Sequence, residues 1–338
     1  MDSFSSVIGH EHIKNLLWKI YKDNTIPPFM IFEGPMGVGK AQMAYEFAKL
    51  LMFDNKKEVL SSPDFYLIQP LEQKADIDLS QGIRPINFDH SKDIRIDAVR
   101  ELKRELSKKG TYEARLRVVL ILNGENLNQE AQNSFLKTLE EPPPKTVIIM
   151  VVSHKEMILP TVYSRGKKIS FGALKFEDFK KYPFEGSVPI TVLYNLSQGS
   201  IGRAKKIENS FVFAFRAKFM DILIKKDFPA LYDFFEEVSV DKARTLDFLD
   251  MFSTILRDIY VMHYNDPCIN SDIEGKLKTL MSHMPLDIVE DMIERTKKSY
   301  SMVLANVQRK YILLYLIAPL LPPNIRDKYD DSLEYLWK

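Results

Sequence analysis

Two uninterrupted apolar runs constrain the fold of this 338-residue chain more than any other feature of its sequence. They cover residues 118–122 and 147–152, and every position in them is Val, Ile, Leu or Met. Such runs are typical of parallel strands that are covered on both faces. Residues 29–32 and 64–68 also have the character of strands. Because helical patterns separate these segments, we predict a doubly wound α/β domain with a parallel sheet.

Apolar residues at helical spacing predict helices between the strands. These helices cover residues 13–20, 41–51, 96–106 and 129–139. The third of them is followed by Lys108-Lys109-Gly110, which predicts a basic last turn and a glycine cap. Residues 71–92 carry Pro, Gly, Asn and Asp without a clear period, so we predict a loop there.

The strand pattern disappears after about residue 172. Short helices are predicted within residues 173–207, and longer ones follow, including residues 245–264 and 286–321. We therefore predict three domains: an α/β domain at 1–171, a small helical domain at 172–208 and a larger helical domain at 209–338.

Composition excludes several classes of function. The net charge of +1 provides no overall basic field to hold nucleic acid, so any DNA contact should be local or shared with partners. The single cysteine, Cys268, excludes an internal disulfide and a multi-cysteine zinc site, and it favours a reducing compartment. The N-terminal residues do not resemble a signal peptide, and no apolar stretch suits a membrane span. We expect a cytoplasmic protein without zinc and without a membrane partner.

Residues 34–40, Gly-Pro-Met-Gly-Val-Gly-Lys, follow an apolar run and open a helix, which is the context of a Walker A phosphate loop. Gly34, Gly37 and Gly39 let backbone N–H groups face a phosphate chain, and the helix N-terminus adds partial positive charge. Lys40 adds a full charge. The alternative is a tight turn without a ligand. We predict a nucleotide-binding cradle that holds either residual ATP or ADP, or nothing, and that requires no cofactor.

The positions that bind magnesium in such a loop are altered here. Ala41 replaces the usual Ser or Thr, whose hydroxyl ligates Mg²⁺. The predicted Walker B strand is followed by Asn123 and Gly124 where an acidic pair is usual. A neutral amide is a poor magnesium ligand beside a carboxylate, and glycine has no base. Glu125 lies one position out of register. We therefore expect no functional metal site and no intrinsic ATP hydrolysis.

Several strings resemble bacterial clamp loaders, which are AAA+ ring proteins. The most specific is residues 136–143, Leu-Lys-Thr-Leu-Glu-Glu-Pro-Pro, which is close to the family string that follows Walker B. Residues 159–166 resemble the family's Leu-Pro-Thr-Ile-x-Ser-Arg-Cys segment, with Gly166 in place of Cys. Residues 197–204 resemble the sensor-2 signature of the lid. The resemblance runs from about residue 4 to residue 207, and the helical remainder fits a collar domain in length and type.

The resemblance implies roles for two arginines. The family arginine at the position of Arg165 reaches the γ-phosphate of ATP on the adjacent subunit, so Arg165 is the predicted arginine finger, acting in trans. A planar guanidinium suits that task because it offsets charge on the phosphate oxygens. The alternative is a surface arginine that closes a local ion pair. Arg203 corresponds to the sensor-2 arginine of the nucleotide site, although a structural role is equally consistent with an inactive loop.

Within the family, delta-prime subunits commonly have a degraded phosphate loop and keep the Ser-Arg motif, whereas gamma/tau subunits keep the metal site. This chain resembles the delta-prime branch, although it lacks the four-cysteine zinc module that is often present. The resemblance implies a DNA polymerase III clamp loader, with gamma/tau and delta subunits, the sliding clamp and primed DNA as partners. Two alternatives stay open: a gamma/tau-like ATPase with an unusual metal site, and a AAA+ scaffold outside replication.

A basic cluster is predicted on one helix and its end. Its members are Lys103, Arg104, Lys108 and Lys109. These side chains could touch DNA phosphates. The alternative is a solvated helix end that the helix dipole favours.

Overall fold

The computed structural model of the chain describes residues 2–60, 62–70, 94–110, 113–186, 188–208, 211–305 and 307–320. The chain forms two compact units. The first comprises Met1–Pro183 and Gly199–Arg203, and the second comprises Phe184–Gln198 and Ala204–Lys338. The division into three domains stays a prediction, and the predicted loop at 71–92 lies outside the described residues.

A parallel sheet forms the centre of the first unit. Its strands are β1 (Phe29–Glu33), β2 (Phe65–Ile68), β3 (Arg117–Ile121), β4 (Thr146–Val152) and β5 (Lys167–Ser170). They lie in the order β2-β3-β4-β1-β5, and all four pairings are parallel. Every residue of β4 is buried, as expected for an inner strand that is covered on both faces. The predicted α/β fold class is confirmed.

Helices cover both faces of this sheet. They are α1 (Glu11–Lys22), α2 (Lys40–Phe53), α3 (Ile96–Ser107), α4 (Gln129–Glu140) and the single turns α5 (Pro160–Tyr163) and α6 (Phe176–Phe179). Ile149 packs in one apolar core with Phe47 of α2. Its neighbour Ile148 packs in a second core with Val99 of α3 and Phe135 of α4. The two cores lie on opposite faces because successive side chains of a strand point to opposite sides.

The end of α3 differs from the prediction. The helix ends at Ser107, and Lys108 has an extended conformation with φ −71° and ψ 151°. Gly110 does not have a positive φ. Arg117 instead donates through Nη1 to the carbonyl oxygens of Leu106 and Lys108, each at 3.0 Å. A side chain from β3 thus satisfies carbonyls that a helix end leaves open, and the predicted glycine cap is wrong.

The second unit is helical in the residues that the structure describes. Its helices are α7 (Ile190–Ser197), α8 (Ile201–Glu208), which starts in the first unit, α9 (Phe211–Lys225), α10 (Phe228–Val238), α11 (Lys242–Met262), α12 (Glu274–Met281), α13 (Leu286–Leu304) and α14 (Arg309–Ile317). Fully buried phenylalanines centre its core, with Phe219 stacked on Phe234 at 5.2 Å between ring centroids.

One long helix was predicted at residues 286–321, and that prediction is wrong. The helix α13 ends at Leu304 and α14 begins at Arg309, and α14 packs against α13. Leu313 and Leu316 of α14 are fully buried in this arrangement. An apolar pattern that continues through both helices does not reveal that the chain turns between them.

Candidate functional site

The phosphate loop connects β1 with α2, and its glycines have backbone conformations that other residues rarely adopt. The φ angles of Gly34, Gly37 and Gly39 are 143°, 74° and 100°. A Cβ at Gly34 would lie 2.2 Å from the carbonyl oxygen of Phe171, and a Cβ at Gly37 would lie 2.6 Å from Ser200 Oγ. The structure therefore brings the predicted cradle residues together in one turn at the carboxyl end of β1.

Lys40 opens α2 and is 4% exposed. Its ammonium donates to the carbonyl oxygens of Gly34 at 2.7 Å and Pro35 at 2.6 Å, and to Ser153 Oγ at 3.1 Å. These three bonds match the three N–H donors of a lysine. A phosphate that entered the loop would have to replace some of these hydrogen bonds. The ammonium of Lys40 therefore binds its own loop in this structure.

The part of the predicted sensor-2 segment that belongs to the first unit, Gly199–Arg203, contacts the phosphate loop. Ser200 Oγ donates to the carbonyl oxygen of Met36 at 2.8 Å, and the Gly202 N–H donates to that of Gly37 at 2.9 Å. The Arg203 N–H donates to Ser200 Oγ at 3.1 Å, whereas its side chain is exposed. The segment therefore meets the loop through its backbone and one hydroxyl.

His10 contacts the phosphate loop at Val38. The residue is 7% exposed, and its Nε2 lies 2.7 Å from the carbonyl oxygen of Val38. Because a carbonyl only accepts, Nε2 carries the hydrogen. The ring also meets Phe171 edge-on at 5.0 Å between centroids. Burial lowers the pKa of His10 from its usual 6.5, so the ring is neutral near pH 7.

The residues around the loop do not fit a magnesium ion. A Cβ at Gly124 would lie 2.5 Å from Met150 Cγ and 2.8 Å from its Sδ, so β4 fills the space that an acidic side chain would need. Ala41 is partly buried in the core and carries only a methyl group. Position 41 therefore provides no oxygen ligand, and position 124 carries no carboxylate base. Among the described residues, no three His, Cys, Asp or Glu side chains form a group that could hold a metal.

Glu125 is a buried carboxylate that is linked to the loop through Ser153. It is 6% exposed, and its Oε1 accepts the backbone N–H of Ser153 at 3.1 Å. The other oxygen, Oε2, is buried and has no hydrogen-bond partner among the described residues. Ser153 thus connects Glu125 with Lys40. Ser153 directly follows β4, and this position is a signal in the sequence because the carboxyl ends of parallel strands lie together at one end of a sheet.

Arg165 lies at the opposite end of the sheet, where the parallel strands begin. It precedes β5, whose first residue, Lys167, is in register with Met30 of β1. Arg165 is thus level with the start of β1, whereas the phosphate loop begins at Gly34. Six residues of strand span about 20 Å. Arg165 therefore does not reach the phosphate loop of its own chain.

The guanidinium of Arg165 is held by two neighbours. Its Nε donates to Glu140 Oε1 at 2.6 Å, and its Nη2 donates to the same oxygen. Its Nη1 donates to the carbonyl oxygen of Thr161. The side chains of Arg165 and Glu140 are 32% and 48% exposed. The local ion pair that was the alternative to an arginine finger is present, and it leaves the guanidinium partly accessible. The next residue, Gly166, has no space for a side chain, because a Cβ there would lie 2.5 Å from Ile31 Cγ1.

The predicted basic cluster on α3 is largely paired within the chain. Lys103 donates to the backbone carbonyl and hydroxyl of Ser134 on α4. Arg104 pairs with Glu101, and Lys108 pairs with Glu105 at 2.6 Å. These contacts favour the solvated helix end over a dedicated phosphate-binding surface. No helix in the described part of the chain is long and apolar enough to cross a membrane.

Comparison with known proteins identifies a matching family and several relatives. The family described as "DNA polymerase III, delta subunit" matches residues 9–175. The chain is 28% identical to DNA polymerase III subunit tau/gamma of Haemophilus influenzae over 209 residues, which cover 59% of this chain and 29% of that protein. It is 28% identical to DNA polymerase III subunit delta' of Pseudomonas aeruginosa over 146 residues, which cover 39% of each protein.

A solved structure is similar along most of the chain. It is a gamma-subunit-related protein of DNA polymerase III from Thermotoga maritima, with a TM-score of 0.45 and 17% identity over 93% of this chain and 99% of that one. The chain spans only 29% and 39% of the two curated relatives described above. These relatives include both gamma/tau and delta' subunits at similar identity.

Proposed function

The chain belongs to the clamp-loader family of DNA polymerase III, and from that premise we propose that it is a delta-prime-like subunit. In this role it does not hydrolyse ATP itself. It completes the ATP site of a neighbouring ring subunit with Arg165 while the ring loads a sliding clamp onto primed DNA. Its partners are then gamma/tau and delta subunits, and its location is the cytoplasm, where bacterial chromosomes are replicated.

The observation that carries this proposal is the packing of Gly124 against Met150. Position 124 has the place of the residue that orients water in an active site, and a side chain there requires Met150 to move, because a Cβ would lie 2.5 Å from Met150 Cγ. Ala41 removes the hydroxyl that would ligate magnesium. Groups of this kind act together, and the survivors do not rescue the loss of the others. The phosphate loop therefore supports the fold, and it retains at most nucleotide binding without hydrolysis.

Arg165 provides the chemical contribution of the chain. It lies about 20 Å from its own phosphate loop along the strand direction, so any phosphate that it contacts belongs to another subunit. A guanidinium keeps its charge at every physiological pH, and its planar edge matches two oxygens of a phosphate. In a neighbour's site it would offset the negative charge that develops on the phosphate oxygens during transfer.

The proposal is tested in a reconstituted complex with the organism's gamma/tau and delta subunits, the sliding clamp and primed DNA. Arg165→Ala should leave assembly intact and lower the DNA-stimulated ATPase of the complex by about tenfold or more, because a trans arginine contributes 10³ to 10⁵ at a single site. Arg244→Ala is the matched control, since this arginine is also partly exposed and pairs with a carboxylate, Asp241, at 3.4 Å. Equal activity of the wild type and Arg165→Ala would contradict the proposal.

A gamma/tau-like ATPase is the second candidate, because the tau/gamma relative of Haemophilus influenzae aligns over 59% of this chain. In that case the isolated chain would turn over ATP with magnesium, and Lys40 would release the carbonyl oxygens that it contacts. A steady-state ATPase assay on the purified chain distinguishes the two. Turnover above background that is lost in Lys40→Met would favour this candidate over the delta-prime-like role.

A scaffold role outside replication is the third candidate. It predicts no stable association with clamp-loader subunits. Co-purification of the full chain with the organism's gamma/tau and delta subunits tests it, and a complex that survives gel filtration would contradict it.

A further inference from the structure

The C-terminal end of α4 and the loop after α5 meet at one ion pair. Glu140 is the last residue of α4, and Arg165 follows α5. A single oxygen of Glu140 accepts two N–H groups from the Nε–Nη2 edge of the guanidinium. The backbone carbonyl of Thr161 accepts one from Nη1. The last residue of α4 therefore holds the side of the guanidinium, and α5 holds one of its terminal nitrogens.

The free part of the guanidinium faces away from these contacts. An arginine has five N–H donors, and the three bonds to Glu140 and Thr161 use three of them. One N–H on Nη1 and one on Nη2 remain. Nη1 and Nη2 are the two terminal nitrogens of the guanidinium, and a phosphate can accept a hydrogen bond from each of them. The pairing therefore fixes the arginine and, among the described residues, leaves one donor on each terminal nitrogen.

The elements that hold Arg165 are themselves connected by a buried glutamine. Gln132 of α4 is 3% exposed, and its Nε2 donates to the carbonyl oxygen of Met157 at 3.1 Å. Its Oε1 accepts the N–H of Leu159, immediately before α5, at 2.7 Å. Because α4 and the start of α5 are joined in this way, Glu140 and Thr161 keep a fixed relation to each other. A rigid support is what accurate placement of a charged group requires.

We propose that Glu140 is the positioning residue of Arg165: it holds the guanidinium with its Nη1 and Nη2 donors directed outward, toward a phosphate of nucleotide bound by a neighbouring subunit. This inference rests on the function proposed above for Arg165. Glu140 touches no phosphate itself, and a carboxylate at that place would repel one. Its effect is to reduce the number of conformations that the long arginine side chain must lose when the ATP site forms.

The ion pair is partly exposed, and exposed ion pairs contribute little to folding. Substitution of Glu140 should therefore leave the chain folded and able to assemble. This makes the inference testable in the complex with gamma/tau and delta subunits, clamp and primed DNA. Glu141→Ala is the matched control, because Glu141 is the neighbouring exposed carboxylate and has no contact with Arg165.

The experiment measures kcat and KM for ATP in complexes that carry Glu140→Ala, Glu140→Gln, Arg165→Ala or the double variant. Glu140→Ala should lower kcat about tenfold with KM unchanged, since misplacement of a catalytic group slows chemistry more than binding. Glu140→Gln keeps one acceptor oxygen and should recover part of the loss. The double variant should have the kcat of Arg165→Ala alone, because Glu140 acts only through that arginine.

Other outcomes overturn the inference in distinguishable ways. If Arg165→Ala lowers kcat and Glu140→Ala does not, Glu140 has no positioning role and the proposed function stands. A higher kcat in Glu140→Ala would mean that the carboxylate restrains the arginine instead of presenting it. Additive losses in the double variant would mean that Glu140 acts independently. If Arg165→Ala has no effect in an assembled complex, the proposed function and this inference both fail.

Discussion

At the end of the sheet where the parallel strands finish, here called the carboxyl edge, Lys40 and Glu125 are buried. At the end where the strands begin, the amino edge, the guanidinium of Arg165 is partly exposed to solvent. Lys40 is 4% exposed and contacts carbonyl oxygens of its own loop, and Glu125 is buried and bonded to the backbone of Ser153. Arg165, at the other edge, is paired on one side and 32% exposed. The same fold thus carries a phosphate loop whose polar groups support structure and an arginine whose outer donors remain accessible.

The largest expected effect tests whether position 124 can accept an acidic side chain. Gly124→Asp should destabilise the chain by about 3 kcal/mol or more, because overpacking alone costs 1–3 kcal/mol and the buried carboxylate adds to it. The measurement is the urea unfolding midpoint at pH 7. Gly172→Asp is the control, since nothing lies within 4 Å of a Cβ there. A Gly124→Asp protein as stable as the control would show that Met150 moves to make space for the carboxylate. The carboxyl edge would then no longer exclude an added charge.

The second prediction concerns the structural use of the loop lysine. Lys40→Met keeps the aliphatic volume and removes the hydrogen bonds to Gly34, Pro35 and Ser153. We expect a loss of about 2 kcal/mol in the free energy of unfolding without nucleotide, since hydrogen bonds to charged groups contribute 1.5–3 kcal/mol. Lys108→Met, at an exposed ion pair, should change it little. Equal unfolding curves for the two variants would contradict a structural role for Lys40.

The third prediction applies the same measurement to the amino edge. Arg165→Ala and Glu140→Ala should each change the free energy of unfolding of the isolated chain by at most about 1 kcal/mol, as is usual for exposed ion pairs. If either variant is as unstable as Lys40→Met, then Arg165 is a structural residue and its effect on a neighbour's ATPase would need another explanation. Thermal and urea unfolding of the three proteins side by side decide between these outcomes.

The smallest expected effect is a pH dependence at the carboxyl edge. Burial lowers the pKa of His10 below 6.5, so between the two values the unfolded chain binds more protons than the folded chain. Stability contributed by neutral His10 is therefore present above pH 6.5 and is lost as the pH falls through the lowered pKa. Asp178, Lys14 and His12 also act on this ring, and Asp178 opposes the shift. His10→Gln should flatten the part of the stability profile between pH 7 and 5 that the wild type shows. An unchanged profile would mean that other groups cause the slope.

Strands whose residues are mostly buried were predicted from the sequence, whereas the mostly exposed strand β5 was missed. Four strands follow apolar runs, of which β4 is the clearest because all of its residues are buried. The strand β5 at the edge of the sheet reads Lys-Lys-Ile-Ser and has only one buried residue, so composition provided little signal for it. The single helix predicted at 286–321 failed for a related reason, because α13 and α14 share an apolar pattern and only their packing separates them.

The candidate site was predicted residue by residue, but its contacts were not. Gly34, Gly37 and Lys40 form the expected loop, and the altered metal positions were visible as Ala41, Asn123 and Gly124. The sequence could not indicate that Lys40 is bonded to its own loop. Nor could it indicate that Met150 occupies the space beside Gly124, because that contact joins a turn after β3 to a residue of β4 that lies 26 positions later in the chain.

The sequence by itself determined the parallel sheet, the phosphate loop after β1 and the absence of two metal-binding side chains, since each depends on residue type within a short segment. Tertiary structure decided which residues the charged side chains contact and which of them stay exposed. Glu125 turns inward to Ser153, and Arg165 is fixed by Glu140, which lies 25 residues earlier in the chain. Contacts of this kind depend on which edges of the sheet the chain brings together, and local sequence patterns carry no information about distances across a fold.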